Sequence, residues 1–228
     1  MTKLSLMPLL LLDLDNTLVD RASAFRRWAG EFAARHGTGA ETEVDWLVAA
    51  DADGYEPRAR LSARIRHRFT LGASARSELE DALRWGMADH LEPDPTIVQA
   101  LASARKDGWL PFVITNGTVE QQERKLRVSG LDREVAGWVI SESAGTKKPE
   151  AGIFFAAASA AGSTLEGAWM IGDSPGADIQ GAHSLGIMSV WLHRGRTWDD
   201  ASFSPTLTAG SVAAAIQVIP MLPRPLGR

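Results

Sequence analysis

Asp13 and Asp15 stand one residue apart at the end of the apolar run Leu9-Leu10-Leu11-Leu12 and are followed by Asn16-Thr17. In an extended chain, residues two apart face the same side, so both carboxylates can aim at one point beyond the strand. Two acids there form a hard oxygen site. Such a site suits magnesium, which takes one or two protein carboxylates and completes its octahedron with water and substrate phosphate. The structural alternative is a turn, with Asp15 and Asn16 as turn residues and Asp20 capping the helix that follows.

Three more groups share this placement. Ile114 ends a second apolar run and leads into Thr115-Asn116-Gly117. Thr118, with Gln121 three residues on, is the better cap for the next helix. That leaves Thr115 and Asn116 as donors to phosphate oxygens, or as loop filler. Lys147 and Lys148 precede Pro149, which is expected at the first helical position and so sets Lys148 at the mouth of a loop. The chain has five lysines against nineteen arginines, so adjacent lysines are not a compositional habit; the alternative is a solvated pair. Asp173 closes the run Met170-Ile171-Gly172, while Asp178 falls in the first turn of a helix, where an acid complements the dipole. At a neighbouring strand's carboxyl end, Asp173 would complete a metal site with Asp13 and Asp15, and Asp178 would orient a bound water from behind it.

The elements that must position these residues are short apolar runs at Leu9 to Leu14, Leu110 to Thr115, Trp138 to Ser141, Trp169 to Gly172 and Met188 to Leu192. Between the later runs lie helix-like stretches, the alternation of a parallel sheet covered on both faces. In open α/β sheets the strands' carboxyl ends converge on one crevice, which would gather all four groups. The first two strands are separated by far more than a simple crossover needs. The interval from Leu18 to Pro95 reads as helices, with Phe25, Trp28, Ala29 and Phe32 on one face and Leu61, Ile65 and Phe69 on another. It is expected to be an inserted helical domain over residues 18–95, leaving residues 1–17 and 96–228 as the core, with Glu92-Pro93-Asp94-Pro95 marking the return.

Composition narrows the function. The 228 residues carry a net charge of -4, with 45% hydrophobic and 23% charged, which predicts a folded chain without a basic footprint for nucleic acid. The absence of cysteine removes disulfides, thiolate metal sites and cysteine nucleophiles. The apolar N-terminal run is too short to span a bilayer and has no small-residue cleavage site after it, so a cytoplasmic protein, off the membrane, is expected. Ser211 to Val218 reads as a last helix, followed by Pro220, Pro223 and Pro225. The five histidines lack metal-ligand spacing, and the eight tryptophans read as packing.

In order, Asp13-Leu14-Asp15-Asn16-Thr17, Thr115, Lys148-Pro149 and Gly172-Asp173 with Asp178 resemble the four motifs of the haloacid dehalogenase-like superfamily, over about Leu9 to Leu192. The insertion is similar to the helical cap of the subgroup that holds phosphoglycolate phosphatase and β-phosphoglucomutase. The resemblance implies a Rossmann-like α/β core with an all-helical cap. It also implies a magnesium-dependent phosphatase acting on a small phosphorylated metabolite, as monomer or homodimer. By the same resemblance Asp13 attacks phosphorus to form an aspartyl-phosphate, and Asp15 serves as general acid and base. Magnesium lies on the Asp13 carboxylate, the Asp15 carbonyl and Asp173, and Lys148 and Thr115 steady the phosphoryl oxygens.

Carbon–halogen chemistry is disfavoured because that branch lacks an acid at the place of Asp15. A phosphonatase needs a cap lysine, and residues 18–95 contain none. A phosphosugar mutase remains an alternative, although those enzymes usually carry Gly-Val where Asn16-Thr17 stand; a silent binding protein on the same fold is another. Within the insertion, Arg60, Arg64, His67 and Arg68 share a helical face opposite Ile65 and Phe69. They read as a solvated face, or alternatively Arg58 or Arg60 reads a second anion on the substrate, with Asp51-Ala52-Asp53-Gly54-Tyr55 as a closing loop.

Overall fold

The computed structural model describes residues 7–219. The first six residues and the prolines Pro220, Pro223 and Pro225 lie outside them. The chain divides into two compact units, one formed by Met1–Val19 with Pro93–Arg228 and the other by Asp20–Glu92.

The first unit is built on six parallel strands: β1 (Leu9–Leu12), β2 (Leu110–Thr115), β3 (Trp138–Ile140), β4 (Trp169–Gly172), β5 (Met188–Leu192) and β6 (Leu207–Ala209). They are ordered β3-β2-β1-β4-β5-β6, the doubly wound order of a Rossmann-like sheet. The α/β expectation holds, and β6 is a strand that three residues of weak apolar signal did not announce. All four leucines of β1 are buried because neighbours flank the strand on both sides and helices cover both faces. The helices are α5 (Pro95–Lys106), α6 (Val119–Val128), α7 (Ser141–Ala144), α8 (Ala151–Ala160), α9 (Gln180–Ser184) and α10 (Val212–Val218). On one face, Leu9 and Leu11 pack with Phe112, Ile114, Met170 and the Ile153, Phe154 and Ala157 side of α8.

Two local expectations change. The first strand ends at Leu12, not Leu14, because the Leu14 carbonyl accepts from the N–H groups of Thr17, Leu18 and Val19 and curls the chain into a turn. Pro149 does not open a helix: α8 begins at Ala151 with Glu150 as its cap residue, and Pro149 sits in the preceding turn, closed by Glu150 N–H to Lys147 C=O at 2.8 Å.

The second unit is helical, with α1 (Arg21–His36), α2 (Glu41–Asp51), α3 (Arg58–Arg68) and α4 (Ala75–Trp85). Asp20 caps α1 by accepting from Ser23 N–H at 3.0 Å. Phe25, Trp28 and Phe32 stack along α1, and Phe32 meets Phe69 edge to face, so the apolar stripe read from the sequence is its core. Arg60, Arg64, His67 and Arg68 are exposed.

Candidate active site

Order in the sheet reverses between β1 and β4, and a crevice opens beyond the carboxyl ends of strands at such a switch point. Leu12 pairs with Ile171, and Asp13 N–H donates to Ile171 C=O at 3.0 Å, so the chain delivers Asp13 and Asp173 side by side there. Asp13, Asp173 and Asp178 are all buried and each offers a carboxylate oxygen within 4.8 Å of the others. Asp178 enters this group from a π-helical turn, Pro175–Ile179, and its carboxylate also accepts from Ser174 N–H at 3.0 Å. Gly172 makes the approach possible: a Cβ there would lie 2.1 Å from Asp178 Oδ2.

Lys148 binds the cluster together. It is only 3% exposed, and its Nζ donates to Asp13 Oδ1 at 2.6 Å and to Asp178 Oδ1 at 2.7 Å. Burial works against the Lys148 ammonium, but the two carboxylates outweigh it and raise its pKa. Burial also raises Asp13 and Asp178, more strongly than Lys148 holds them down. Asp173 is pushed up to about 6 by burial and then by the Asp13 charge, against the pull of Arg194 and Arg196.

The two acids of the opening motif part company. Asp15 lies in the turn beyond β1, where strict alternation no longer applies, and its carboxylate does not join the three-acid group. Lys125 Nζ donates to both of its oxygens, at 2.7 and 2.6 Å, and Gln122 Nε2 donates to one at 3.1 Å. The same Gln122 nitrogen reaches Thr115 Oγ1 at 2.5 Å, tying the end of β2 to Asp15. Neither Gln122 nor Lys125 was singled out in the sequence. Their signal was three-residue spacing on one face of α6, two polar side chains turned inward on a helix whose N-terminus follows a strand exit.

The Asn116 side chain makes a structural contact besides the phosphate-binding role expected of it. Its carboxamide accepts from Lys148 N–H at 2.9 Å and donates to Lys148 C=O at 3.0 Å, so it holds the lysine backbone against the end of β2. Arg194 and Arg196, just past β5, were also missed although they follow the same strand-exit rule. Arg194 Nη1 lies 3.1 Å and Arg196 Nη2 3.3 Å from Asp173 Oδ2. Arg196 also donates to the Asp173 carbonyl at 2.6 Å, which Trp191 Nε1 reaches at 2.9 Å.

In the helical unit, Arg58 Nη1 donates to Asp51 at 2.7 Å, and Arg21 grips the same buried carboxylate at 2.7 and 2.9 Å. Arg60 Nε pairs with Glu56 at 3.1 Å. Both candidate anion readers therefore have carboxylate partners within their own unit. Ala52, Asp53 and Gly54 take left-handed backbone conformations, and the Tyr55 side of this turn is exposed.

The donor set fits a hard divalent cation. It is made of oxygen alone, and burial and mutual repulsion raise its carboxylates, marking a place where added positive charge is stabilising. Among the described residues, no helix is long and apolar enough to cross a membrane.

A family model described as haloacid dehalogenase-like hydrolase matches residues 7–186. A phosphoserine phosphatase of Thermus thermophilus is 37% identical over 112 residues, which cover 49% of this chain and 45% of that protein. A glyceraldehyde 3-phosphate phosphatase of Pyrococcus furiosus is 31% identical over 198 residues, covering 81% of this chain and 80% of that one. The match thus spans less than half of the Thermus relative's length and most of the Pyrococcus relative's. A magnesium-bound HAD-hydrolase structure from Bacillus subtilis superposes with a TM-score of 0.69 at 21% identity, over 92% of this chain and 97% of that one, a likeness of fold.

Proposed function

The chain belongs to the haloacid dehalogenase-like hydrolases, and on that premise we propose that it hydrolyses the phosphate monoester of a small metabolite, with magnesium as cofactor and Asp13 as nucleophile. The observation that carries this is the buried Lys148 bridging Asp13 and Asp178 beside Asp173 at the switch point of the sheet. A structural ion pair has no need of a third buried acid, whereas a phosphoryl-transfer site needs a fixed nucleophile, a fixed cation and a metal locus together.

Asp13 forms an oxygen–phosphorus bond as the phosphorus–oxygen bond to the alcohol breaks, and Asp15 gives its proton to the departing oxygen. A water then attacks the aspartyl-phosphate, Asp15 takes the water's proton, and Asp13 and inorganic phosphate separate. Lys148 has two N–H groups on carboxylates and a third for a phosphoryl oxygen. The Thr115 hydroxyl accepts from Gln122 and keeps its own hydrogen to donate. Lys125 and Gln122 hold the Asp15 carboxylate, and Asn116 holds the Lys148 backbone. Asp13, Asp173 and the Asp15 carbonyl would hold the magnesium ion, with Asp178 beside them. Its chemistry is to offset the repulsion between a carboxylate nucleophile and an anionic phosphate, about 4 kcal/mol for two unit charges at 4 Å and an effective dielectric near 20.

The helical unit is assigned the role of a substrate-selecting cap, with Tyr55 as its exposed candidate contact; the pairing of Arg58 and Arg60 with Asp51 and Glu56 weighs against their reading a second anion. The names of the relatives make phosphoserine and glyceraldehyde 3-phosphate the first compounds to test. Phosphate release is measured across these, sugar phosphates, phosphoglycolate and nucleotides, with magnesium and with EDTA, for the wild type and Asp13→Asn. Magnesium-dependent release that Asp13→Asn abolishes is expected. No release from any compound, or undiminished release by Asp13→Asn, defeats the proposal, and isomerised phosphosugar without free phosphate would make the protein a mutase.

A further inference from the structure

In the helical unit, α1 packs on α2 and on the 3-10 turn Gly86–His90, while α4 packs on α3 and on the same turn. Between α1 and α4 lies a cavity of about 330 Å³, within the size range of small-molecule sites. Its floor is apolar, with Phe32 and Leu79 buried. Trp28 is also part of its lining and is only 6% exposed. The Nε1 edge of the indole faces Gly86, another lining residue, where a Cβ would lie 2.6 Å from Nε1 and Cδ1, so the glycine keeps that edge uncovered. Among the described residues the Trp28 N–H has no hydrogen-bond partner, although an indole N–H on a buried ring ordinarily finds an acceptor. Two charged side chains line the same cavity without an ion pair or hydrogen bond among the described residues, Arg35 on α1 and Glu78 on α4. Glu31, by contrast, has His90 at 3.7 Å, and Asp89 has an interaction of its own. Counted along their helices, Arg35 and Glu78 each stand about two turns, roughly 10 Å, from the Trp28–Gly86 contact. The cavity thus has a donor at one end, an apolar middle, and opposite charges on its two walls.

We propose that this cavity is a binding site for a zwitterionic α-amino acid whose side chain is aromatic and ends in an acceptor oxygen. Arg35 takes the carboxylate and Glu78 the ammonium, the ring lies on Phe32 and Leu79, and the terminal oxygen accepts from Trp28 Nε1–H. Each part of the ligand answers a group in the lining. A purely anionic ligand meets Glu78 unfavourably, a purely cationic one meets Arg35, and a ligand without the terminal oxygen leaves the indole N–H unpaired. Three carboxylates, Glu31, Glu78 and Asp89, line the cavity against the one guanidinium of Arg35, and this balance disfavours a phosphate dianion. The ligand is therefore distinct from the phosphorylated substrate proposed for the core unit.

The test is calorimetric titration of L-tyrosine into the full chain, with L-phenylalanine, tyramine and phloretate in parallel. These probes lack, in turn, the terminal oxygen, the carboxylate and the ammonium. Saturable binding of L-tyrosine is expected, with each of the other three about tenfold weaker, the loss of one hydrogen bond or charged contact. Arg35→Gln and Glu78→Gln alter exposed side chains, and thermal melts establish that both are folded. Each is expected to weaken L-tyrosine about tenfold, while Arg35→Gln binds tyramine no worse than the wild type does and Glu78→Gln binds phloretate no worse. Trp28→Phe is expected to bind L-tyrosine and L-phenylalanine alike; should it fail to fold, the two glutamine variants carry the test. No saturable binding of L-tyrosine overturns the proposal. So does L-phenylalanine binding as tightly as L-tyrosine to the wild type, or L-tyrosine binding that neither glutamine variant weakens. Binding is read without catalysis, so the result is independent of the phosphatase proposal.

Discussion

Asp173→Asn is expected to stabilise the metal-free protein while removing metal binding. Asp173 is raised from 3.8 to about 6 by burial and by the Asp13 charge. A raised carboxylate pKa means that the folded state prefers the proton, so its ionisation costs stability. The cost begins as pH rises above 3.8 and is complete above about 6. A rise of that size corresponds to about 3 kcal/mol, and we take about 2 kcal/mol because the carboxylate keeps some contact with solvent. Asparagine is nearly isosteric and uncharged, so it escapes this cost. For a chain of this size about 2 kcal/mol moves the melting temperature by about 4–8 °C. The assay is scanning calorimetry or dye-monitored melting in EDTA at pH 8 and pH 4.5. The variant is expected to melt higher at pH 8, and the gap should shrink to about a third at pH 4.5, where the wild-type carboxylate is largely protonated in the folded state. Saturating magnesium should reverse the order, because only the wild type gains the binding term. A variant that melts lower than the wild type in EDTA at pH 8, or a gap indifferent to pH, would refute the reasoning.

Lys148→Ala leaves Asp13 and Asp178 buried without their counter-ion, so it is expected to destabilise the core unit by about 3–5 kcal/mol at neutral pH, read by urea unfolding. Gly172→Ala puts a methyl group where Asp178 Oδ2 sits, and the expected outcome is lost phosphatase activity and lost magnesium binding by calorimetry, with a lower melting temperature. In the helical unit, Arg21→Ala removes one of the two arginines on the buried Asp51 and is expected to cost about 3 kcal/mol, seen as an earlier unfolding phase with intact metal binding by the core.

The fold was legible wherever burial is total. Five of the six strands show as apolar runs because a parallel strand covered on both faces has no polar side to confuse its signal. β6 escaped because an edge strand of Leu207, Thr208 and Ala209 has too little to bury. The acids of the site were legible for the opposite reason: Asp13 and Asp173 interrupt apolar runs where no turn requires them. Their partners were less so. Asp15 could be read as an acid at a strand exit, but its separation from Asp13 is decided by the hydrogen bonds that Leu14 C=O accepts, which no residue pattern encodes. The hold of Asn116 on the Lys148 backbone was not legible, because its amide matches a backbone N–H and C=O that are 32 positions away in sequence.

The cations show why chemistry at such a site is only half visible in a chain. Each acid declares itself locally, by standing at the end of an apolar run. Lys125, Arg194 and Arg196 declare nothing locally, since a basic residue on a helix or past a strand is ordinarily solvated. Lys125 acquires meaning because β2, which α6 follows, pairs with β1, and the two arginines because the sheet order sets β4 between β1 and β5, which places the exit of β5 against Asp173. Neutrality at the site is therefore a property of the topology. A permuted strand order with the same residues would leave Asp13, Asp173 and Asp178 with Lys148 alone, a set too negative to remain ionised without metal. The fold both concentrates the carboxylates and, through its strand order, supplies the counter-charges that let them wait for a ligand.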